Sequence, residues 1–290
     1  MGYLFIVLSV CASLTEGLLI KTYNKKHEKG GFIFIALISA FSMLFFLFTD
    51  LIADETGLHF SLKMIPYALV AGFVYCMASV LTFFALKYGS YALTMLILSY
   101  SLIFTTLYGL VFLKEQATAF TYIGFALIAI SLFFVRGEKN EEDPKNKNIL
   151  LWLIFVLFSV VFAGMFGVVQ RMQQIRFEDS VTREFMVVAM ALSTLVSLGI
   201  GLYLEGKDSF QILKQCLPYA GGAGVANGAT NMLSMFVTML MPISIFAPTQ
   251  AGIKIVISFL LSYFVFKEKF LKRQILGVFF GGVAVVLLNI

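Results

Sequence analysis

The sequence has 290 residues, of which 60% are hydrophobic and 13% charged, whereas a soluble domain averages roughly 25% charged residues. Its apolar residues form runs of about 18 to 25, the length that crosses a hydrocarbon core of about 30 Å. This composition excludes a soluble enzyme or binding module and predicts an integral membrane protein. The formal net charge of +5 arises in the loops that flank the apolar runs, so we interpret it as retention at an anionic membrane face and not as nucleic-acid binding.

Ten apolar segments follow one another along the chain, separated by charged or turn-rich residues. The first begins almost at Met1 without a basic leader or a small-residue cleavage site, so we expect a retained span and no signal peptide. The predicted spans cover residues 3–22, 31–50, 65–86, 91–113, 118–135, 148–170, 185–204, 214–240, 244–266 and 272–289. We therefore predict an all-α membrane protein with ten transmembrane helices.

The two halves of the chain repeat one another. The polar segment 136–148 divides the spans five and five, and sliding the halves by 152 or 153 positions aligns several features. The matches are Pro66-Tyr67-Ala68 with Pro218-Tyr219-Ala220, Lys114-Glu115 with Lys267-Glu268, and Gly124 with Gly277. Because an odd number of spans makes the second copy enter the membrane from the opposite side, we predict two inverted five-helix repeats. Their predicted bounds are 1–137 and 148–290, with a polar linker at 138–147.

Three of these features are shared with a known family of membrane proteins. They are five spans per half, a Lys-Glu turn after the fourth span of each half, and a last span that contains Gly277, Gly281 and Gly282. In these features the chain resembles the drug/metabolite transporter superfamily, specifically its ten-helix EamA-like branch. The resemblance implies an exporter or exchanger of amino acids, nucleotide sugars, sugar phosphates or organic cations. It also implies a central cavity lined by spans 1 to 4 and 6 to 9, with spans 5 and 10 outside it.

Polar side chains form stripes on the third and eighth spans, which correspond in the repeat. Tyr75, Ser79 and Thr82 share one helical face of the third span. At the offset of 152, Tyr75 matches Asn227 and Ser79 matches Asn231 on the eighth span. We interpret the two stripes as walls of one cavity, because polar groups in hydrocarbon need water or a partner. For an isolated Ser or Thr, a hydrogen bond between helices is the alternative interpretation.

The fourth and ninth spans carry a second matched pair of polar faces. Ser101 matches Lys254, and Thr105 matches Ser258, at the offset of 153, while Gln250 lies one turn before Lys254. With the stripes above, these faces complete the predicted substrate-binding set of Lys254, Asn227, Asn231, Gln250, Tyr75, Ser79, Ser101 and Ser258.

Lys254 is one of two ionisable residues that lie well inside a predicted span, where burial costs at least about 2.5 kcal/mol. A fixed cation at this depth favours an anionic or zwitterionic solute. The segment Ala251-Gly252-Ile253-Lys254 also resembles the glycine-then-lysine motif in the ninth span of nucleotide-sugar and sugar-phosphate transporters, which implies phosphate or carboxylate binding. The alternative is that Lys254 is neutralised by Glu16 in a buried ion pair.

Glu16 is the second ionisable residue, about 13 residues along the first span and therefore roughly 20 Å into the membrane. A carboxyl group withdrawn from water favours its neutral form, so Glu16 is a candidate for proton coupling. The first span resembles that of small multidrug-resistance exporters, in which one membrane glutamate exchanges protons for a cationic drug. The counterpart of Glu16 in the second half is Phe166, so only one half carries the acid. A partly interfacial or salt-bridged structural role is the alternative.

Together these residues predict a secondary active transporter, an exporter or exchanger of a small polar, anionic or zwitterionic metabolite that works by alternating access. A proton-coupled exporter of organic cations is the alternative, and an intramembrane enzyme is a distant one, since no HExxH, DxxD or Cys/His motif is present in a span. We predict no cofactor and no metal site. The predicted partners are a small-molecule substrate, the lipid bilayer and possible coupling protons, with no nucleic acid, in a monomer or weak dimer of the plasma membrane.

Loop charge and the resemblance disagree on orientation. Of 21 Lys and Arg residues, 15 lie in odd-numbered loops and 5 in even-numbered loops. The positive-inside rule then places the odd loops in the cytoplasm and both termini outside, whereas the resemblance implies cytoplasmic termini. Trp152, at the start of the sixth span, fits an anchor at the membrane interface.

Overall fold

The computed structural model describes residues 2–27, 29–52, 61–112, 118–135, 149–177, 182–240, 243–268 and 270–287. Over these residues the chain is helical, without a strand. A short 3-10 turn, Gly206–Asp208, joins two of the helices. The α-helices are α1 (Gly2–Lys26), α2 (Gly31–Ile52), α3 (Ile65–Tyr88), α4 (Tyr91–Ser99), α5 (Leu102–Phe112), α6 (Ala119–Val135), α7 (Ile149–Phe177), α8 (Thr182–Glu205), α9 (Ser209–Leu240), α10 (Ile243–Phe264) and α11 (Lys272–Leu287).

Each predicted apolar span lies on helix, with one difference in the fourth. That span is divided into α4 and α5 by a turn at Tyr100 and Ser101, where Ser101 donates its backbone N–H to Leu98 and Ile103 donates to Tyr100. The Tyr100 hydroxyl bonds with Ser131 of α6, 2.5 Å away. The break therefore coincides with a bond to another helix and not with a Gly or Pro in the segment.

Five stretches of the described helices are long and apolar enough to cross a membrane: Leu4–Lys26, Gly31–Thr49, Ile65–Tyr88, Ile149–Phe177 and Thr182–Ser234, the last of which contains α8 and most of α9. Tyr122–Ser131 and Gln250–Phe264 are shorter apolar helices. The chain is thus a multi-pass membrane protein. Ten separate spans remain a prediction.

Large apolar side chains cover the outer surface of the bundle. Examples that are more than half exposed are Phe48, Phe133, Phe158, Phe264 and Phe279. Such a surface would be costly in water, and in a bilayer it faces lipid.

Helices of the first half pack mainly against helices of the second. The principal contacts join α1 and α2 to α9, α3 to α7 and α8, α2 to α8, α4 to α10, and α6 to α11. The set of contacts has an exchange symmetry. It stays the same when α1, α2, α3, α4 and α6 are exchanged, in this order, with α7, α8, α9, α10 and α11. Helix α6 has α11 as its principal neighbour, so this pair lies to one side of the other helices.

Two matched glycines allow close approach between the halves. A Cβ atom on Gly72 of α3 would lie 2.5 Å from the Ala189 carbonyl oxygen of α8. A Cβ atom on Gly224 of α9 would lie 2.6 Å from the Ile38 carbonyl oxygen of α2. Both positions therefore exclude a side chain, and they are 152 residues apart, the offset of the repeat.

Polar contacts, several of them between the halves, join helix ends at one face of the bundle. Helices α1, α3, α8 and α10 end there, and we call it the odd-loop face. Lys21 donates to the Leu86 carbonyl oxygen, 2.8 Å away, and to that of Gly89, and it pairs with Glu268 at 3.8 Å. Further bonds link Lys29 to Asp208, Gly30 to Glu205, and Lys26 to Tyr219. These contacts hold the helix ends together at this face.

Trp152 does not lie at the surface as an interfacial anchor would. Its side chain is 4% exposed, and its indole N–H donates to the Thr94 hydroxyl, 2.9 Å away. The ring occupies the space that a side chain at position 89 would need, which Gly89 leaves free. The prediction of an interfacial anchor is therefore wrong, because the hydrogen bond and the packing of α3, α4 and α7 bury the indole.

Candidate functional site

Glu16 and Asn227 meet where α1 packs against α9. The Asn227 side-chain amide donates to both carboxylate oxygens of Glu16, at 3.2 Å and 3.1 Å. Asn227 is buried, whereas Glu16 keeps part of its surface exposed although helices surround it. The carboxyl group therefore lies among the helices, at a contact between the two halves of the chain.

The oxygen of the Asn227 amide is held by two further donors. The Ser42 hydroxyl on α2 donates to it at 3.0 Å, and the Asn231 amide donates at 3.2 Å. Asn231 also donates to the Asn227 backbone carbonyl at 3.0 Å. The NH₂ group of Asn227 is thereby directed to Glu16.

Ser42 is a site residue that the sequence did not predict. It lies in an apolar helix, and its one polar neighbour at helical spacing is Ser39, which bonds with Ser193 of α8 at 2.8 Å. Both serines are fully buried. Their spacing of three residues puts them on one face of α2. This shared polar face is the sequence feature that could have indicated Ser42, and it is weak.

Tyr75 lies beside this group with an unsatisfied hydroxyl. Its side chain is 6% exposed, and its hydroxyl oxygen is buried without a hydrogen-bond partner. Ser79, Asn227 and Glu16 are its polar neighbours, but none of them is in hydrogen-bond geometry with it. A buried hydroxyl without a partner costs free energy, so a polar atom of a solute or a water would be bound favourably here.

Gln250, on α10, forms hydrogen bonds to side chains of two other helices, α1 and α9. Its amide donates to the Ser9 hydroxyl of α1 at 2.9 Å and to the Ser234 hydroxyl of α9 at 3.3 Å. Ser9 is fully buried and donates in turn to the Ile6 carbonyl oxygen of its own helix. Gln250, on α10, therefore lies in a polar layer shared with α1 and α9.

Lys254 lies on α10, one turn after Gln250. Helices surround it, yet its side chain remains partly exposed, as that of Glu16 does. The two charges attract each other, but no ion pair within 4.0 Å joins them. The predicted alternative, a buried Glu16–Lys254 salt bridge, is not formed in this conformation, in which both carboxylate oxygens of Glu16 accept from the Asn227 amide.

The remaining predicted residues lie apart from this group or outside the described side chains. Ser258 is buried and donates to the Ile255 carbonyl oxygen of its own helix at 2.9 Å. Ser101 is half-buried at the α4–α5 turn. Thr82 bonds with Ser159 of α7 at 2.6 Å, a contact that joins two helices. The Thr105 side chain lies outside the part of the chain that the structure describes.

Comparison with known proteins assigns the first half of the chain. Residues 1–137 match the model of the EamA-like transporter family. The family resemblance found in the sequence is therefore confirmed. The EamA-like family is a family of membrane transporters of small molecules.

The fold of the chain is similar to that of a solved structure described as "Crystal structure of protein". The two align over 97% of each chain with a TM-score of 0.59 and 16% sequence identity. At this identity the likeness shows the fold alone. Among the curated proteins, none matches the sequence.

The two halves of the chain differ at equivalent helix contacts. In the repeat, Phe166 corresponds to Glu16 and Tyr75 corresponds to Asn227. The Phe166 and Tyr75 rings lie against each other with centroids 5.4 Å apart. One half-to-half contact is therefore polar and ionisable, and its equivalent is aromatic.

Proposed function

We propose that this protein is a secondary active transporter of a small anionic or zwitterionic metabolite, and that a zwitterion fits the two opposite charges of Glu16 and Lys254 best. Its two five-helix repeats, residues 1–137 and 148–290 joined by the linker 138–147, would be inverted relative to each other and exchange access from one membrane face to the other. The exchange symmetry of the helix contacts and the matched glycines Gly72 and Gly224 support this arrangement.

The observation that carries the proposal is the separation of two opposite charges inside one bundle. Glu16 and Lys254 attract each other without forming a salt bridge, and both keep exposed surface. Burial of charge in a membrane protein is costly unless a partner or water compensates it. A solute with a cationic group for Glu16 and an anionic group for Lys254 would supply both partners.

Polar groups between and around these charges are available to orient such a solute. Asn227, Asn231 and Gln250 line α9 and α10 near them, and the Tyr75 hydroxyl has no partner. Ser79, Ser101 and Ser258 complete the proposed binding set. Placement at the contact of the two halves is typical of transporters with inverted repeats.

The test is solute counterflow in proteoliposomes, with panels of amino acids, sugar phosphates and organic cations. Lys254→Ala should abolish exchange of the anionic or zwitterionic solute while the melting temperature in detergent stays nearly unchanged. Lys272→Ala, which removes an exposed lysine at the start of α11, is the matched control and should leave exchange intact. A collapse of thermal stability in Lys254→Ala would instead assign Lys254 a structural role.

A second candidate is a proton-coupled exporter of organic cations, favoured by one observation. The Glu16 carboxylate is held by a neutral amide and not by Lys254, so its charge remains available to a cation or a proton. Glu16→Gln should then abolish pH-driven transport, and Lys254→Ala should be tolerated.

We also propose that the protein works in the plasma membrane as a monomer or weak dimer.

A further inference from the structure

The helix pairs α1–α9 and α7–α3 make the same contact at opposite faces of the bundle. At the odd-loop face, Lys26 of α1 donates to the Tyr219 hydroxyl of α9 at 2.8 Å. At the other face, where α7 ends and α3 begins, Arg176 donates to the Tyr67 hydroxyl at 3.0 Å. We call this second face the even-loop face. Arg176 follows Lys26 by 150 positions and Tyr219 follows Tyr67 by 152, so the two contacts are equivalent in the repeat.

The contact between these two helix pairs departs from the exchange symmetry. Helix α1 packs against α3, whereas the equivalent helices, α7 and α9, make no comparable contact over the described residues. Two side chains of α1 bond to the end of α3 at the odd-loop face. Lys21 donates to the Leu86 carbonyl oxygen at 2.8 Å, and the Asn24 amide donates to that of Phe83 at 3.0 Å. Matched helix ends are therefore joined at one face and not at the other.

The counterparts of Lys21 and Asn24 are Arg171 and Gln174 on α7, at the same offset of 150. Both are partly exposed, and within the described structure neither forms a hydrogen bond or an ion pair. A wrong alignment of α7 with α1 does not explain the difference, because Arg176 on the same helix makes its matched contact. Arg171 and Gln174 are thus polar groups at the end of α7 whose equivalents are bonded.

A third matched pair differs in the same direction. The Tyr23 hydroxyl of α1 donates to the Lys29 carbonyl oxygen at 2.8 Å. Its counterpart on α7, Gln173, is fully buried, and neither its amide nitrogen nor its amide oxygen has a hydrogen-bond partner. A buried amide without partners costs free energy. The end of α7 therefore lacks polar bonds that the end of α1 makes.

We propose that α1–α3 and α7–α9 are two gates that close in turn, and that Arg171 and Gln174 bond to the end of α9 when Lys21 and Asn24 release α3. The inference rests on the proposed function, because it applies the alternating access of inverted repeats to these residues. In this structure the gate at the odd-loop face is made and the gate at the even-loop face is not.

The repeat also identifies the acceptors of the second gate. Phe83 and Leu86, whose carbonyl oxygens accept from α1, match Met235 and Thr238 on α9 at the offset of 152. The backbone carbonyl groups of these two residues are the expected partners of Gln174 and Arg171. An arginine and an amide can both donate to a carbonyl oxygen, so the chemistry of the first gate is preserved.

The helix contacts describe a motion that exchanges the two gates. Helix α1 is joined to α9, and α3 to α7, so each pair can move as a unit. A tilt that separates α1 from α3 at the odd-loop face brings α9 toward α7 at the even-loop face. The contact of α2 with α8 maps onto itself in the exchange and contains the buried Ser39–Ser193 bond of 2.8 Å. It is therefore the pivot of the tilt.

The experiment measures how often α7 and α9 meet in the full-length protein in proteoliposomes. Gln174→Cys and Met235→Cys are introduced together, and a short bifunctional thiol reagent is added, so that cross-linking requires the two helix ends to approach. Mass spectrometry quantifies the peptide that joins positions 174 and 235. Arg171 remains in this protein as a donor of the gate.

Lys21→Met in this background should raise the cross-linking rate at least about threefold, because it removes bonds that hold the opposite gate. Asn24→Ala should act in the same direction, and it tests the gate independently if Lys21→Met folds poorly. Arg171→Met added to either variant should remove the increase. Lys25→Met is the control, since Lys25 is exposed and lies over the Phe266 ring, 4.5 Å from its centroid, and not against α3.

Unchanged cross-linking in Lys21→Met and Asn24→Ala would overturn the inference. An increase that Arg171→Met leaves intact would also overturn it, because general loosening of the bundle and not a second gate would then bring the helices together. Solute counterflow is measured on the same samples. If cross-linking responds as expected but no solute is exchanged, the proposed function fails while the two gates stand.

Discussion

At the scale of single residues, two buried tyrosines of the bundle differ in one bond. The Tyr75 hydroxyl has no partner, whereas the Tyr91 hydroxyl donates to the Leu14 carbonyl oxygen. Removing an unpaired buried hydroxyl costs little stability, and removing a paired one costs about 1 kcal/mol. Tyr75→Phe should therefore keep or raise the melting temperature and weaken solute binding, while Tyr91→Phe should lower the melting temperature.

The measurement is thermal unfolding in detergent beside solute titration of the same samples. A drop in stability for Tyr75→Phe, with unchanged solute affinity, would mean that its hydroxyl has a structural partner and no role in binding.

Some residues of the candidate site could be predicted from the sequence, and others could not. Glu16, Asn227, Asn231 and Gln250 stand out because a charge or an amide in an apolar run is costly without a partner. Ser42 does not stand out, since a buried serine can satisfy itself on its own helix, as Ser258 does. Its bond to Asn227 depends on how α2 crosses α9, which no local pattern encodes.

At the scale of helices, the carboxylate of Glu268 holds the beginning of α4. It accepts from the Tyr91 backbone N–H at 3.1 Å and from the Ser90 hydroxyl at 2.6 Å, and it also bonds with Ser262. A positive φ of 53° at Lys267 turns the chain immediately before Glu268. The Lys-Glu turn identified in the sequence thus caps a helix of the other half.

Glu268→Ala should loosen the odd-loop face, because it removes this cap and the ion pair with Lys21. Loss of a helix cap costs about 1 kcal/mol, and we expect a lower melting temperature and faster maleimide labelling of a cysteine introduced at Ser90. Asp208→Asn is the control, since the Lys29–Asp208 pair is exposed and exposed pairs contribute little. Equal labelling in both variants would contradict the capping role.

Hydrophobic runs were sufficient to predict where helices lie but not where they are interrupted. The α4–α5 turn falls inside a continuous apolar run, where Tyr100 bonds with Ser131 and Ser131 donates to the Gly277 carbonyl oxygen. These contacts come from α6 and α11. Burial of Trp152 has the same kind of cause, a tertiary hydrogen bond to Thr94 that outweighs the usual preference of tryptophan for the interface.

At the scale of the whole molecule, the proposed inverted repeats predict on which side of the membrane the linker and the C-terminus lie. Five spans per half place the linker 138–147 on the opposite side of the membrane from the C-terminus. The excess of Lys and Arg in odd loops places the linker in the cytoplasm. Reporter fusions that are active on one side only, inserted in the linker and at the C-terminus, should give opposite signals. The same signal from both sites would contradict five spans per half.

If the two halves are inverted repeats, as we propose, the replacement of Glu16 and Asn227 by Phe166 and Tyr75 in the equivalent contact has an energetic consequence for transport. Identical halves would give the outward-facing and inward-facing forms the same free energy, and each would be populated equally at rest. One ionisable contact against one aromatic contact removes this degeneracy. In that arrangement the resting population would depend in part on the Glu16 carboxyl group, so a proton or a solute that binds there would bias the conformational equilibrium.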